Sequence, residues 1–182
     1  MSLEEKLVEA GIKKILVVDD TKANLAAAKE YFSSFEKYGI KTDYANSAKQ
    51  AKKNIQDAYK GKERYSVIIS DMVMEEPHSG LEVVREGFKH QTHGYIATGK
   101  DYDRPDDASH GPYTEVEPML GTIRGKKEKP EVWKKVFDMT LEHMTGQAKE
   151  TIAAMNRYHK FHGKPSEKIA DMMMLVYEIC LK

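Results

Sequence analysis

Two short apolar runs that end on acids constrain this chain more than any other feature. Ile15-Leu16-Val17-Val18 leads directly into Asp19-Asp20, and Tyr65-Ser66-Val67-Ile68-Ile69-Ser70 ends on Asp71. Short β-branched runs read as strands covered on both faces of a parallel sheet, so the residue after each run lies at a strand's carboxyl end. Ligands of open α/β sheets bind along that edge. Carboxylates gathered there repel: two unit charges ~4 Å apart at an effective dielectric of about 20 cost roughly 4 kcal/mol. A divalent cation is the simplest agent to hold three of them together.

The rest of the first hundred residues alternates in the way such a sheet requires. Ser2 and Glu5 form a capping box for a short opening helix that Gly11 ends. A strand over Lys14 to Val18 is followed by Leu25, Ala28, Tyr31, Phe32 and Phe35 at helical spacing, which predicts a helix to about Lys37 with Gly39 as its breaker. A second strand runs from Ile40 to Tyr44, and a second alternating helix, capped near Ser47, covers about Ala48 to Tyr59. Strand three is Tyr65 to Ser70, a loop spans Met72 to Ser79, and Leu81, Val84 and Phe88 mark a short helix before a fourth strand, Tyr95-Ile96-Ala97-Thr98. This order implies right-handed βαβ units around a parallel sheet.

Regularity stops at Gly99. From Lys100 to Lys129 the chain is rich in Asp, Gly, Pro and Lys, with one strand expected near Met119 to Ile123. An irregular stretch this long inside a domain is functional or hides an element. Pro130 then opens a helix whose stripe is Trp133, Val136, Phe137, Thr140, Leu141 and Met144, ended by Gly146. Two further helices are expected, about Gln147 to Tyr158 and about Ser166 to Leu181.

Composition narrows the classes. The 182 residues suit one domain with an appendage, and 29 Lys and Arg balance 29 Asp and Glu, so no overall field draws the chain to nucleic acid or an anionic membrane. The single cysteine, Cys180, excludes an internal disulfide and reads as a small buried hydrophobe, which fits a reducing compartment. With no apolar run near the ~20 residues that span a bilayer, and no apolar leader, a cytoplasmic protein is expected.

The ordered set Ile15-Leu16-Val17-Val18-Asp19-Asp20, then Asp71-Met72-Val73-Met74, then Ser79-Gly80-Leu81-Glu82-Val83-Val84, with Thr98 closing the fourth strand, resembles the receiver (CheY-like) domain of two-component response regulators. The resemblance covers about Lys13 to Thr98 and more loosely Pro130 to Thr145. It implies a flavodoxin-like, doubly wound parallel α/β sheet, with 1–146 as the receiver-like domain and 147–182 as a C-terminal helical extension. It further implies that Asp71 is the phosphoacceptor, that Asp19, Asp20, Asp71 and the backbone carbonyl of Val73 hold Mg²⁺, and that Thr98 reads the phosphoryl group. The donor would be a histidine kinase or a phosphotransfer protein. Mg²⁺ suits such a site because it prefers a few hard oxygen ligands and keeps several waters.

The sequence also departs from the family. Glu75 stands where many receivers carry proline, the loop to Gly80 is about one residue longer, and the family's lysine at the end of a fifth strand has three candidates, Lys126, Lys127 and Lys129. Two alternatives follow: a degenerate receiver acting as a protein-binding module, or a Mg²⁺-dependent phosphatase-like enzyme using the same carboxylates. The latter lacks the Asp-x-Asp pattern of the common aspartate-nucleophile phosphatases.

Blander readings stand beside these. Asp is a favoured helix cap, so the three acids have a purely structural alternative, and Thr98 has one as a β-branched strand terminus. Asp101, Asp103, Asp106 and Asp107 lack the glycine and glutamate of a calcium loop and read as a solvated acidic stretch. His143, His159 and His162 have no cysteine partners for zinc and read as surface groups, while His90, His93 and His110 lack a nucleophile to serve. Met172 to Met174 read as packing residues, and the extension serves dimerisation or partner binding better than DNA.

Overall fold

The computed structural model describes residues 1–98 and 127–181, with side chains described as far as residue 175. The elements are α1 (Leu3–Glu9), β1 (Lys14–Val18), α2 (Lys22–Ser33), a 3₁₀ turn (Glu36–Tyr38), β2 (Lys41–Ala45), α3 (Ala48–Lys60), β3 (Val67–Ser70), α4 (Ser79–Lys89), β4 (His93–Ile96), α5 (Pro130–Thr145), α6 (Lys149–His162) and α7 (Glu167–Leu181). The expected strand near Met119 to Ile123, the acidic stretch from Asp101 to Asp107, His110 and Lys126 lie outside the described residues, and so does the side chain of Cys180.

The four described strands are all parallel, in the order β2-β1-β3-β4. This is the flavodoxin-like, doubly wound arrangement, followed by a helical C-terminal part. Alternation along β1 shows how the sheet is covered: Ile15 and Val17 pack with α2 and α5, whereas Leu16 and Val18 pack with α3. All four are fully buried, each stabilising the fold by about 1.5–3 kcal/mol relative to exposure. Phe32, Phe35 and Phe137 interlock edge-on or tilted at centroid distances of 5.2–5.3 Å, joining α2 to α5.

Local chemistry explains most boundaries, including those that differ from expectation. Ser2 accepts from the Glu5 amide while Glu5 accepts from the Ser2 amide, so the capping box of α1 forms. The α2 helix stops at Ser33 rather than reaching Lys37. Ser33 and Ser34 hydroxyls donate to the Glu30 and Tyr31 carbonyls, competing with helix continuation, and the chain tightens into the 3₁₀ turn before Gly39 at φ +73°. The β4 strand begins at His93, two residues before the expected start, because Val67 and Ile68 of β3 need partners and find His93 and Gly94. The α6 helix runs on to His162, and Gly163, in the left-handed region, ends it.

The C-terminal helix docks on α4. Ala170 and Met174 share an apolar cluster with Leu81, Val84, Phe88 and Met72, and Arg85 and Lys89 pair with Glu167 and Asp171 along its margin. No helix among the described residues is long and apolar enough to cross a membrane.

Candidate functional site

The sheet register places the acids. Val18 pairs with Ser70, and Ser70 with Ile96, so the residues that follow come out side by side at one edge. The ladder continues one step further: the Asp71 amide donates to the Val18 carbonyl at 2.8 Å, the Asp19 amide to Ala45 at 3.1 Å and the Ala97 amide to Ser70 at 2.8 Å. Asp19, Asp20 and Asp71 thereby offer carboxylate oxygens that all lie within 4.8 Å of one another.

Asp19 is fully buried and fully engaged. The Thr21 amide donates to one of its oxygens at 2.9 Å, Asn24 Nδ2 reaches both oxygens at 3.1 Å, and Lys127 Nζ lies 2.7 Å from Oδ2. A buried carboxylate without such donors is costly, so this set fixes its position. Asp20 is exposed at the mouth, where the Thr21 hydroxyl donates to it weakly at 3.4 Å. Asp71 is half-buried between them.

Lys127 is the residue the sequence left among three candidates. Its buried ammonium bridges Asp19 and Asp71, at 2.7 and 2.6 Å, and donates to the Ala97 carbonyl at 2.9 Å. The lysine is held from behind: the Trp133 indole donates to the Lys127 carbonyl at 2.7 Å from the first turns of α5. Lys129 instead precedes Pro130 as the N-cap residue of α5. Burial pushes the Asp71 carboxyl above its ordinary range; Lys127 pulls it back and the Asp19 charge adds to the rise.

Two further features shape the site. A Cβ built on Gly80 would stand 2.0 Å from the Asp71 carbonyl oxygen and 2.8 Å from the Met72 Cα, so only glycine lets the start of α4 close on the backbone of the loop after β3. The Gly80 amide uses this approach to donate to the Met72 carbonyl at 2.9 Å. Glu75 reaches across to α3, where its carboxylate accepts from the Ala48 amide at 2.9 and 3.2 Å. That amide is one of the donors a helix start leaves without an intrahelical partner, and the anion also meets the positive end of the helix. A residue noted as a departure therefore ties the loop carrying Met72, Val73 and Met74 to the neighbouring helix.

Thr98 is buried one residue past Ala97, at the same end of the sheet as Lys127, and Val73 lies two residues past Asp71 with a partly exposed side chain. Sequence reading missed Asn24, Thr21 and Trp133. Asn24, five residues after Asp19 in the first turn of α2, was the most legible of the three, since Asn belongs at helix starts for its polar side chain. His143, His159 and His162 do not gather: His143 Nδ1 meets the Tyr95 hydroxyl at 2.8 Å, His159 faces Tyr59, and His162 stacks on Tyr158.

The donor set fits a hard divalent cation. Three carboxylates against one ammonium leave a formal charge of minus two, which one such ion cancels, and every side-chain donor is an oxygen. Asp19, Asp20 and Asp71 are the side chains that would hold it.

No protein-family model matches the chain, and no curated protein matches it. Solved structures do. The receiver domain of the histidine kinase CKI1 from Arabidopsis thaliana, complexed with Mg²⁺ and BeF₃⁻, is 22% identical with a TM-score of 0.42, over 53% of this chain and 71% of that one. A mutant of the same domain is 20% identical with a TM-score of 0.41, over 53% and 73%. The bacteriophytochrome response regulator AtBRR is 15% identical with a TM-score of 0.45, over 71% and 94%. The fold rests on the strand order and helix placement described above; these solved structures to which the chain is similar are receiver domains and a response regulator.

Proposed function

We propose that this chain is a phosphorylation-dependent signalling receiver in which Asp71 accepts a phosphoryl group with the help of Mg²⁺. One observation carries the reading: the Lys127 ammonium sits between Asp19 and Asp71 at 2.7 and 2.6 Å, with Asp20 completing an acidic triad at the carboxyl edge of the sheet. In this reading Asp19, Asp20, Asp71 and the Val73 carbonyl hold the cation, and the division into a receiver-like domain over 1–146 and an extension over 147–182 is part of the same proposal.

The ionised Asp71 carboxylate attacks phosphorus in line. An O–P bond forms, the bond from phosphorus to the donor's nitrogen or oxygen breaks, and the electron pair departs with the donor, which takes its proton from solvent. A bound Mg²⁺ supplies charge neutralisation on the phosphoryl oxygens. Asp19, fixed by Asn24 and Thr21, is held in place beside the reacting carboxylate. Lys127 gives up its contact with Asp71, whose oxygen is now esterified, and pairs with a phosphoryl oxygen instead, while the Thr98 hydroxyl donates to another. Because the Asp71 carboxyl titrates above its ordinary range, the nucleophilic form is lost at a higher pH than for an exposed aspartate. The donor is a histidine kinase or a phosphotransfer protein. The buried Lys127 between Asp19 and Asp71 supports this reading over the binding-module alternative.

The test is intact mass after incubation with acetyl phosphate and Mg²⁺. Wild-type protein should gain one phosphoryl group and Asp71→Asn none, since the amide is not a comparable nucleophile. An unmodified wild type would favour the binding-module reading, and continuous turnover of a simple phosphate ester would favour the phosphatase.

A further inference from the structure

The opposite edge of the sheet, where the strands begin, carries a cavity of about 590 Å³. Its wall includes the starts of β1, β2 and β4, the residues leading into β3, and part of α6. Two of its residues carry buried polar atoms that have no hydrogen-bond partner among the described residues. His93 is 3% exposed, and neither of its ring nitrogens has a hydrogen-bond partner; Gln91 is 1% exposed, and its Oε1 has none. A buried polar atom without a partner is unfavourable, and a ligand that supplies the missing hydrogen bond would relieve it.

Charge at the cavity is lopsided. Lys13, Lys14, Lys41, Lys62 and Arg64 line it against one acid, Glu63. Lys14 pairs with Asp43 and Lys41 weakly with Glu63 at 4.0 Å, but no carboxylate among the described residues pairs with Arg64. Its guanidinium donates to the Gln91 carbonyl and to Asn156 Oδ1, and burial holds its pKa below the ordinary value. Met144, Ile152 and Met155 supply an apolar wall.

We propose that this cavity binds a small organic anion with an apolar body and a hydroxyl or N–H group: Arg64 and Lys62 take the anionic end, and His93 and Gln91 take the polar group. Gln91 Oε1 only accepts, so the ligand must bring a donor; neutral His93 accepts through one nitrogen and donates through the other. The volume falls within the range of ordinary small-molecule sites. Carboxylate and phosphate are both suitable anionic ends. The proposal is independent of chemistry at Asp71, which lies at the far edge of the sheet.

The test is an NMR titration of the full chain in metal-free buffer, which keeps the acidic site out of the measurement. The probes are 4-hydroxybenzoate and 4-hydroxyphenyl phosphate, with benzoate lacking the donor and inorganic phosphate lacking the apolar body. At least one hydroxylated probe should bind saturably with shifts at His93 and Gln91, and more tightly than the corresponding control. The stronger arm names the anionic group. Arg64→Gln should weaken it about tenfold, the loss expected for a charge-assisted hydrogen bond. Because Arg64 also holds Gln91 and Asn156, the exposed double variant Lys13→Glu with Lys62→Glu provides a change that leaves the core untouched, and it too should weaken binding. Absence of saturable binding to about 20 mM, affinity unchanged in both variants, or controls binding as well as the hydroxylated probes would overturn the proposal.

Discussion

Asp19 and His93 sit at opposite edges of the same sheet, both essentially removed from solvent, and the fold treats them oppositely. Asp19 receives an amide, a side-chain amide and an ammonium. His93 receives aromatic rings, with Phe88 and Tyr95 at centroid distances of 5.3 and 4.9 Å, and among the described residues nothing for its nitrogens. A buried charge surrounded by donors resists being moved, whereas a buried neutral group with empty hydrogen-bonding capacity is a standing cost that a pH change enlarges. The carboxyl edge is thus organised before any ligand arrives, and the amino edge is not.

Removing the cation from the carboxyl edge should break this contrast most severely. Lys127→Met leaves Asp19 and Asp71 facing each other without their shared ammonium, and stripping one partner from a buried pair costs roughly 3–5 kcal/mol. Urea unfolding in EDTA should show that loss, and added Mg²⁺ should recover part of it by supplying the missing positive charge. If the variant is as stable as wild type in EDTA, the bridge contributes no organisation.

The amino edge gives a smaller effect, spread over pH. Burial, assisted by the neighbouring His143, pushes His93 down to about 3. The folded state therefore keeps His93 neutral while the unfolded chain takes up a proton near the ordinary histidine value. Stability contributed by the neutral ring is complete above about pH 6.5 and is lost as pH falls from there toward 3, by up to about 1.4 kcal/mol per pH unit. The difference between wild type and His93→Phe, followed by thermal unfolding from pH 7.5 to 4.5, isolates this term from the carboxylates. Parallel curves for the two proteins would remove His93 from the comparison.

The smallest effect is expected at Glu75. Glu75→Ala deprives the Ala48 amide of its side-chain acceptor, a cap-like loss of about 1 kcal/mol. It should also loosen the loop between Asp71 and α4, seen as faster amide exchange over residues 72–78 than in wild type. Unchanged exchange would mean that Gly80 alone holds the loop.

Much of the carboxyl edge was legible because it is written locally. Strand, then acid, is a pattern within one segment, and two such segments in a parallel sheet must bring their acids together. Lys127 was legible only as one of three, since which lysine enters depends on the Trp133 indole capturing a backbone carbonyl six residues earlier. Glu75 stood out as a departure, but its partner belongs to α3, 27 residues away. In the sequence His93 lacks a nucleophile to serve and lies ahead of the fourth strand expected from Tyr95. Pairing with Val67 draws the strand back over His93 and buries it, a consequence of register rather than of local preference.

The docking of α7 on α4 has a bearing on partners. A helix carried on the same chain as the surface it covers competes at an effective concentration that a free partner must overcome, so it needs little intrinsic affinity to remain seated. The contact is mainly apolar, through Ala170 and Met174, with partly exposed ion pairs from Arg85 and Lys89 at its margin, so added salt weakens the margin and spares the middle. A protein that reads the α4 face of this chain must first displace α7, and its apparent affinity is discounted by the fraction of molecules in which that face is open.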